Sequence, residues 1–262
     1  MKLGAFDFLT KPVNLDELMA RVRTALQMRQ KIKDQVSLLQ SMQQHLSKFV
    51  PQSVKRLIEE NPETPALETR EKDVSVLFID ISGYARLIDT LAHEQVNAIV
   101  ERYFSYFLDC ICENGGEINE TSGDGLMTTF TGANPCRHAR NSVKAALAIL
   151  RGTETLNEQL PEYIEPIMVH MGIDSGLALV GAKKLEGKSG THWTYTATGA
   201  VTNVAARLAQ LAVGGMILIS AETARRVTGH FSLMALGKKP LKNIKEEILV
   251  YQVCGEADAL EN

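Results

Sequence analysis

Two aspartates stand where a carboxylate could meet a divalent cation. Asp80 closes the apolar run Leu77-Phe78-Ile79 and is followed by Ile81-Ser82-Gly83-Tyr84, so a strand delivers one carboxylate into a turn. Ser82 and Gly83 allow backbone N–H groups to approach anionic oxygens there, which suits a metal ion with phosphate beside it. Asp124 lies in the stretch from Gly115-Gly116 to Gly123-Asp124-Gly125, where two short strands would be joined by a hairpin with an acidic tip. Taken alone, that tripeptide is also an ordinary turn. Asn203 and Arg207 are four residues apart in the run from Val201 to Ala212, so on a helix both project from one face into a single pocket.

The elements that must position these residues can be read from periodicity and punctuation. Strands are expected at Val74 to Asp80, Glu117 to Thr121, Leu126 to Phe130, Pro166 to Ser175, Trp193 to Thr196 and Met216 to Ser220. Helices are expected at His93 to Asn114, Cys136 to Leu160 and Val201 to Ala212. They interleave without the strict alternation of a doubly wound sheet, which predicts an α+β domain with helices on a mostly antiparallel sheet.

Upstream, Ile32, Val36, Leu39, Leu46 and Val50 follow alternating three- and four-residue steps, with Gln43 in the one polar slot. This predicts a helix ending near Pro51, either a short coiled-coil seam or a helix packed on its own domain. Asn61-Pro62-Glu63-Thr64-Pro65 reads as a loop, because two prolines with polar neighbours cannot continue a helix.

Composition excludes several classes. The chain has 262 residues, 45% hydrophobic and 23% charged, with a formal net charge of −3. It is long enough for one large domain and something smaller. No basic run offsets the negative balance, which argues against nucleic-acid partners. The longest apolar stretches, Ala145 to Leu150 and Val74 to Ile79, fall far short of the roughly 20 residues that span a bilayer. No secretory signal is recognisable, so a cytoplasmic location with no membrane partner is expected. Cys110, Cys112, Cys136 and Cys254 lack metal-ligand spacing and read as reduced thiols.

Two resemblances add to this reading. Gly4-Ala5-Phe6-Asp7-Phe8-Leu9-Thr10-Lys11-Pro12, with the helix from Asn14 onward, resembles the closing strand and last helix of a bacterial response-regulator receiver domain. There the Lys-Pro bond is usually cis and the Lys contacts the phosphorylated aspartate. On that resemblance residues 1–28 are a truncated receiver end whose phosphoacceptor lies upstream of Met1; an ordinary strand-turn-helix start is the alternative.

The strand-end Asp80, the hairpin with Asp124, and Tyr195-Thr196-Ala197-Thr198-Gly199-Ala200-Val201-Thr202-Asn203-Val204-Ala205-Ala206-Arg207-Leu208 occur in the order found in class III adenylyl and guanylyl cyclases. The last segment is similar to the family's Gly-x-x-Val-Asn-x-Ala-Ala-Arg-Leu. This resemblance covers Asp73 to Cys254, leaves residues 29–72 as helical linker and loop and 255–262 as a tail, and implies a ferredoxin-like α+β fold. It further implies cyclisation of a purine nucleoside triphosphate, with two Mg²⁺ or Mn²⁺ held at Asp80, Ile81 and Asp124. Arg207 would stabilise the transition state and Asn203 would orient the ribose. Lys242 would hold terminal phosphates, although Asn243 replaces the family's usual Gly beside it. A homodimer would share its sites, one chain supplying the aspartates and the other the remaining residues.

Base choice is mixed. By alignment with the family, Glu120 falls on the position that guanylyl cyclases fill with Glu, and Thr194 on a position resembling a bacterial adenylyl subgroup. A carboxylate accepts from guanine N1 and N2, whereas it would face the adenine N1 lone pair with another lone pair. GTP is therefore favoured over ATP. Two alternatives stay open: an adenylate cyclase with an atypical base pocket, and a catalytically silent dimerisation module.

Overall fold

The computed structural model describes Phe8, residues 11–187 and residues 190–257. Most of the receiver-like strand, residues 1–7, 9 and 10, lies outside the described residues. The chain divides into two compact units, Met1–Val50 and Pro51–Asn262.

The first unit contains one long helix, α1 (Leu15–Leu46), capped by Asn14, whose side chain accepts from the Asp16 and Glu17 amides. No residue of α1 is buried, and the seam residues Ile32, Val36, Leu39 and Leu46 are all exposed. The helix stops one turn earlier than the periodicity predicts, leaving Val50 beyond its end. The Lys48 and Phe49 amides close tight turns onto the carbonyls of His45 and Leu46, and Val50, preceding Pro51, is disfavoured from helical backbone.

The second unit opens with a helix that the sequence reading left out, α2 (Gln52–Glu60), for which Pro51 is the N-cap. The proline therefore starts one helix as well as following the end of another. The Pro62 to Pro65 loop follows as expected. Next come β1 (Arg70–Ser82), α3 (Tyr84–Thr90), α4 (His93–Glu113), β2 (Gly116–Ser122), β3 (Gly125–Thr131) and α5 (Pro135–Asn157). The chain continues through β4 (Met168–Gly187), β5 (Gly190–Thr198), α6 (Ala200–Leu211), β6 (Ile217–Ser220), α7 (Ala221–Val227), β7 (Phe231–Lys239) and β8 (Ile248–Glu256).

The sheet runs β2-β3-β1-β4-β6-β8-β7, with β5 paired to β4. Its first four strands are antiparallel neighbours, joined by the helical crossovers α3–α4 and α5. This is the ferredoxin-like arrangement expected from the sequence. Alternation along β1 sends Leu77, Ile79 and Ile81 into a core with Tyr103 and Phe107 of α4 and Val143 and Ile149 of α5. Val74, Val76 and Phe78 face the other way, against Val201 and Ala205 of α6 and Ala197 of β5. Asp80 falls on that second face. The strand expected at Pro166 to Ser175 continues to Gly187 and folds back as β5.

A buried polar network ties the core face together. Arg226 of α7 donates to both oxygens of Asp73 on β1, and the same carboxylate lies 3.3 Å from Nε2 of His138 on α5. Nδ1 of His138 meets the Ser75 hydroxyl, which also meets Ser175. Asp174 accepts from the Ser220 hydroxyl and the Ser175 amide. Burial pushes the Asp174 carboxyl up to about 6 against those bonds, while burial draws His138 down.

Candidate active site

Strand pairing brings the two candidate metal residues together. β1 and β3 align Asp80 with Gly125, and the Ile81 amide donates to the Asp124 carbonyl at 3.0 Å. The hairpin loop is Gly123-Asp124, with Gly123 at φ +56, the first-position glycine that a type II′ turn requires. Burial, then the adjoining Asp124 carboxylate, push the Asp80 carboxyl above its ordinary range, and His170 opposes them. His170 is the cross-strand neighbour of Asp80 on β4. It was absent from the sequence reading, because only the pairing register identifies it. A carboxylate at Asp80 disfavoured by burial and by the charge of Asp124, with that second oxygen donor beside it, fits a divalent cation. Ile81 offers such an ion only its carbonyl, since its side chain is buried in the core.

Ser82 and Gly83 end β1 and lead into α3. Gly83, at φ +86, is the N-cap, and its carbonyl accepts the Leu87 amide at 3.0 Å. A Cβ there would meet nothing within 4 Å. The glycine is thus required by backbone conformation rather than by space.

Glu120 reaches the site-facing side of β2 by way of an irregularity that the sequence reading did not foresee. Ile118 pairs with Thr128 but Glu120 pairs with Met127, leaving Asn119 as the extra residue of a bulge. Met127 belongs to the cluster around Val76 and α6, so Glu120 shares the face of Asp80. It is exposed. Thr194 lies opposite Lys183 on β5 and is half-buried. Two residues on, Thr196 occupies the same side of the strand and is buried, opposite to Tyr195 and Ala197, which pack with α6.

α6 presents Asn203 exposed and Arg207 half-buried. Nη1 of Arg207 donates to Oε1 of Gln210 at 2.6 Å. Lys242 is exposed beside Leu241, which is buried against Val204 and Leu208 of α6 and so fastens this loop to the helix. Asn243 has φ +64, a left-handed conformation that Asn tolerates better than most residues. The backbone is therefore one that glycine would also adopt. Among the described residues, no helix is long and apolar enough to cross a membrane. Within one chain the candidates are carried by different elements: Asp80 by β1, Asp124 by the β2–β3 turn, Asn203 and Arg207 by α6, and Lys242 by the loop between β7 and β8.

The family model for the adenylate and guanylate cyclase catalytic domain matches residues 67–255. An uncharacterized protein of Mycobacterium tuberculosis is 29% identical over 168 residues, covering 62% of this chain and 27% of that protein. Adenylate cyclase 1 of Rhizobium meliloti is 25% identical over 197 residues, covering 72% of this chain and 28% of that protein. The chain therefore matches little more than a quarter of the length of these curated relatives. Among solved structures, the adenylyl cyclase CyaB from P. aeruginosa aligns with a TM-score of 0.68 at 25% identity, covering 74% of this chain and 100% of that one.

Proposed function

Because the chain belongs to the adenylate and guanylate cyclase catalytic domain family, we propose that it converts a purine nucleoside triphosphate, GTP in preference to ATP, into the 3′,5′-cyclic nucleotide and pyrophosphate. The observation that carries this reading is the juxtaposition of Asp80 near the end of β1 with Asp124 in the β2–β3 turn, where the Ile81 amide donates to the Asp124 carbonyl and Asp80 is raised above its ordinary pKa by burial and by its neighbour. In the reaction the ribose 3′ oxygen bonds to the α-phosphorus, the bond from that phosphorus to the pyrophosphate breaks, and pyrophosphate leaves.

Asp80, Asp124 and the Ile81 carbonyl would hold two Mg²⁺ or Mn²⁺. Bound there, the ions would lower the pKa of the attacking hydroxyl and neutralise phosphate charge. The Ser82 and Gly83 amides would receive phosphate oxygens. Arg207 would stabilise charge at the α-phosphorus, Asn203 would orient the ribose and Lys242 would bind the terminal phosphates. Glu120 would accept from guanine N1 and N2, with the Thr194 hydroxyl donating to O6.

On the family resemblance the site would be shared, a twofold homodimer building two equivalent centres from Asp80 and Asp124 of one chain and Glu120, Thr194, Asn203 and Arg207 of the other. The exposed seam of α1 would join the stalks of the two chains in parallel, with residues 1–28 as the receiver-like input side and the protein working in the cytoplasm. Incubation with ATP or GTP, each with Mg²⁺ or Mn²⁺, tests the reading. Cyclic product from GTP at the higher rate supports it, a higher rate from ATP overturns the base assignment, and no product under all four conditions leaves the fold as a silent dimerisation module.

A further inference from the structure

β2 is the outermost strand at its end of the sheet, paired with β3 alone. Its free edge has no ladder to hold it. The strand is also loosely committed along its second half. The side-chain nitrogen and oxygen of Asn119 are both buried without a partner, and Glu120, Thr121 and Ser122 are exposed. Yet this stretch must keep the bulged register, because a slip of one residue would turn Glu120 to the opposite face.

One strong contact reaches the strand from outside the sheet. Oε1 of Glu117 accepts the Ser53 backbone N–H at 2.6 Å in a partly buried setting, across 64 residues of sequence. Ser53 is the second residue of α2, and the N-cap, Pro51, makes no side-chain capping bond. The first amides of a helix lack partners and its N-terminal dipole favours negative charge, so a carboxylate is well matched to this position. The far end of the same segment is fastened as well. Ala182 of β4 donates to the Leu67 carbonyl at 2.7 Å, and the Thr69 backbone fills the space over Gly181, where a Cβ would come within 2.4 Å. The segment that carries α2 is thus tied to β4 beyond its loop as well, so Glu117 links β2 to a stretch with a second attachment to the sheet.

We infer that Glu117 is a positioning residue of the cyclase sites: by binding the N-terminus of α2 it holds β2 in the bulged register that presents Glu120 to the nucleotide of one shared centre and, through the hairpin, Asp124 to that of the other. This rests on the cyclase reading above. Glu117 itself faces the site side of β2, three residues before Glu120, because the bulge absorbs the odd residue.

The test uses the full chain with Glu117→Ala and Glu117→Gln, measuring kcat and KM for GTP and ATP alongside hydrogen exchange by mass spectrometry. Glu117→Ala is expected to raise KM for the preferred nucleotide about tenfold, the effect of losing roughly one charge-assisted hydrogen bond's worth of positioning. It should also narrow the ratio between the two nucleotides and speed exchange at residues 52–57 and 116–124 together. Glu117→Gln retains an acceptor and should recover most of the KM. A purely structural role would lower the rate in proportion to the folded fraction, with KM and the nucleotide ratio unchanged, and that result overturns the inference. If the parent chain makes no cyclic nucleotide, the cyclase reading has failed, and unchanged exchange at residues 116–124 in Glu117→Ala would show separately that the tie does not hold the hairpin.

Discussion

Gly172 of β4 lies directly beneath α6, opposite Phe78 of β1. An added Cβ would stand 2.2 Å from the Ala209 nitrogen and 2.3 Å from the Ala205 oxygen. Both are backbone atoms, so no side-chain rotation can relieve the clash. To reach even the tight contact distance of 3.4 Å, Gly172→Ala must lift α6 from the sheet by about 1.2 Å. Overfilling a packed interface in this way costs about 1–3 kcal/mol, or roughly 2 to 12 °C of melting temperature for a domain of this size. The helix still folds, but it carries Asn203 and Arg207 with it, and a misplacement of about 1 Å lowers a rate about a hundredfold.

The assay is the initial rate of cyclic-nucleotide formation at saturating nucleotide, read beside a thermal melt. Subunit mixing then locates the lesion. On the shared-site reading, Gly172→Ala damages the α6 side of each centre. Mixed with Asp80→Ala under exchange conditions it should regain activity, because one centre of each mixed dimer is intact, whereas mixed with Arg207→Ala it should regain none. Wild-type melting and rate in Gly172→Ala would refute the close seating of α6 on β4. Rescue by Arg207→Ala instead of Asp80→Ala would place the damage on the metal side and refute the assignment of α6.

Asp80→Ala and Arg207→Ala, each inactive alone, should together recover up to about a quarter of wild-type activity after random subunit exchange, with no recovery pointing to a site contained within one chain. Glu120→Lys should move the rate ratio toward ATP by supplying a donor to adenine N1, and an unchanged ratio would remove Glu120 from base recognition. Asp174 is buried with its carboxyl at about 6, above its unfolded value of 3.8, so it favours folding fully below about pH 3.8 and loses that contribution as pH rises through 6. Asp174→Asn keeps the acceptor for Ser220 and Ser175 without the charge and should be the more stable protein at pH 7.5 by on the order of 3 kcal/mol, an advantage that shrinks toward pH 5 in paired denaturation curves. Parallel curves at all pH values would show that the carboxyl does not titrate in the buried setting described.

What the sequence discloses and what it withholds divide along a physical line. The end of β1 at Asp80, the turn at Gly123-Asp124 and helices α4, α5 and α6 are specified by neighbours a few residues away, through apolar periodicity, glycine and caps such as Asn134, which accepts from the Cys136 and Arg137 amides. Helices α3 and α7, at seven residues each, are shorter than two turns and show too little periodicity to be read. The second half of β4 carries Leu177 and Leu179 exposed and three glycines between Gly176 and Gly187, a pattern that looks like loop until β5 pairs with it.

The harder losses concern which face a side chain occupies. His170 influences Asp80 only through the β1–β4 register, and Ser53 meets Glu117 only once α2 is docked; both are long-range facts with no local trace. Glu120 makes the point most sharply. Strict alternation along β2 from Glu117 would put Asn119 and Thr121 on the site face and turn Glu120 away, so the family-based assignment of Glu120 as base reader and a regular strand are incompatible. The bulge at Asn119 puts Glu120 on the face of Asp80, the placement that assignment would need, and leaves the Asn119 amide buried and unpartnered. A locally unfavourable residue is tolerated where it sets the register of a functional one. On the inference drawn above, the Glu117 carboxylate that ties β2 to α2 would belong to the site as much as Glu120 does.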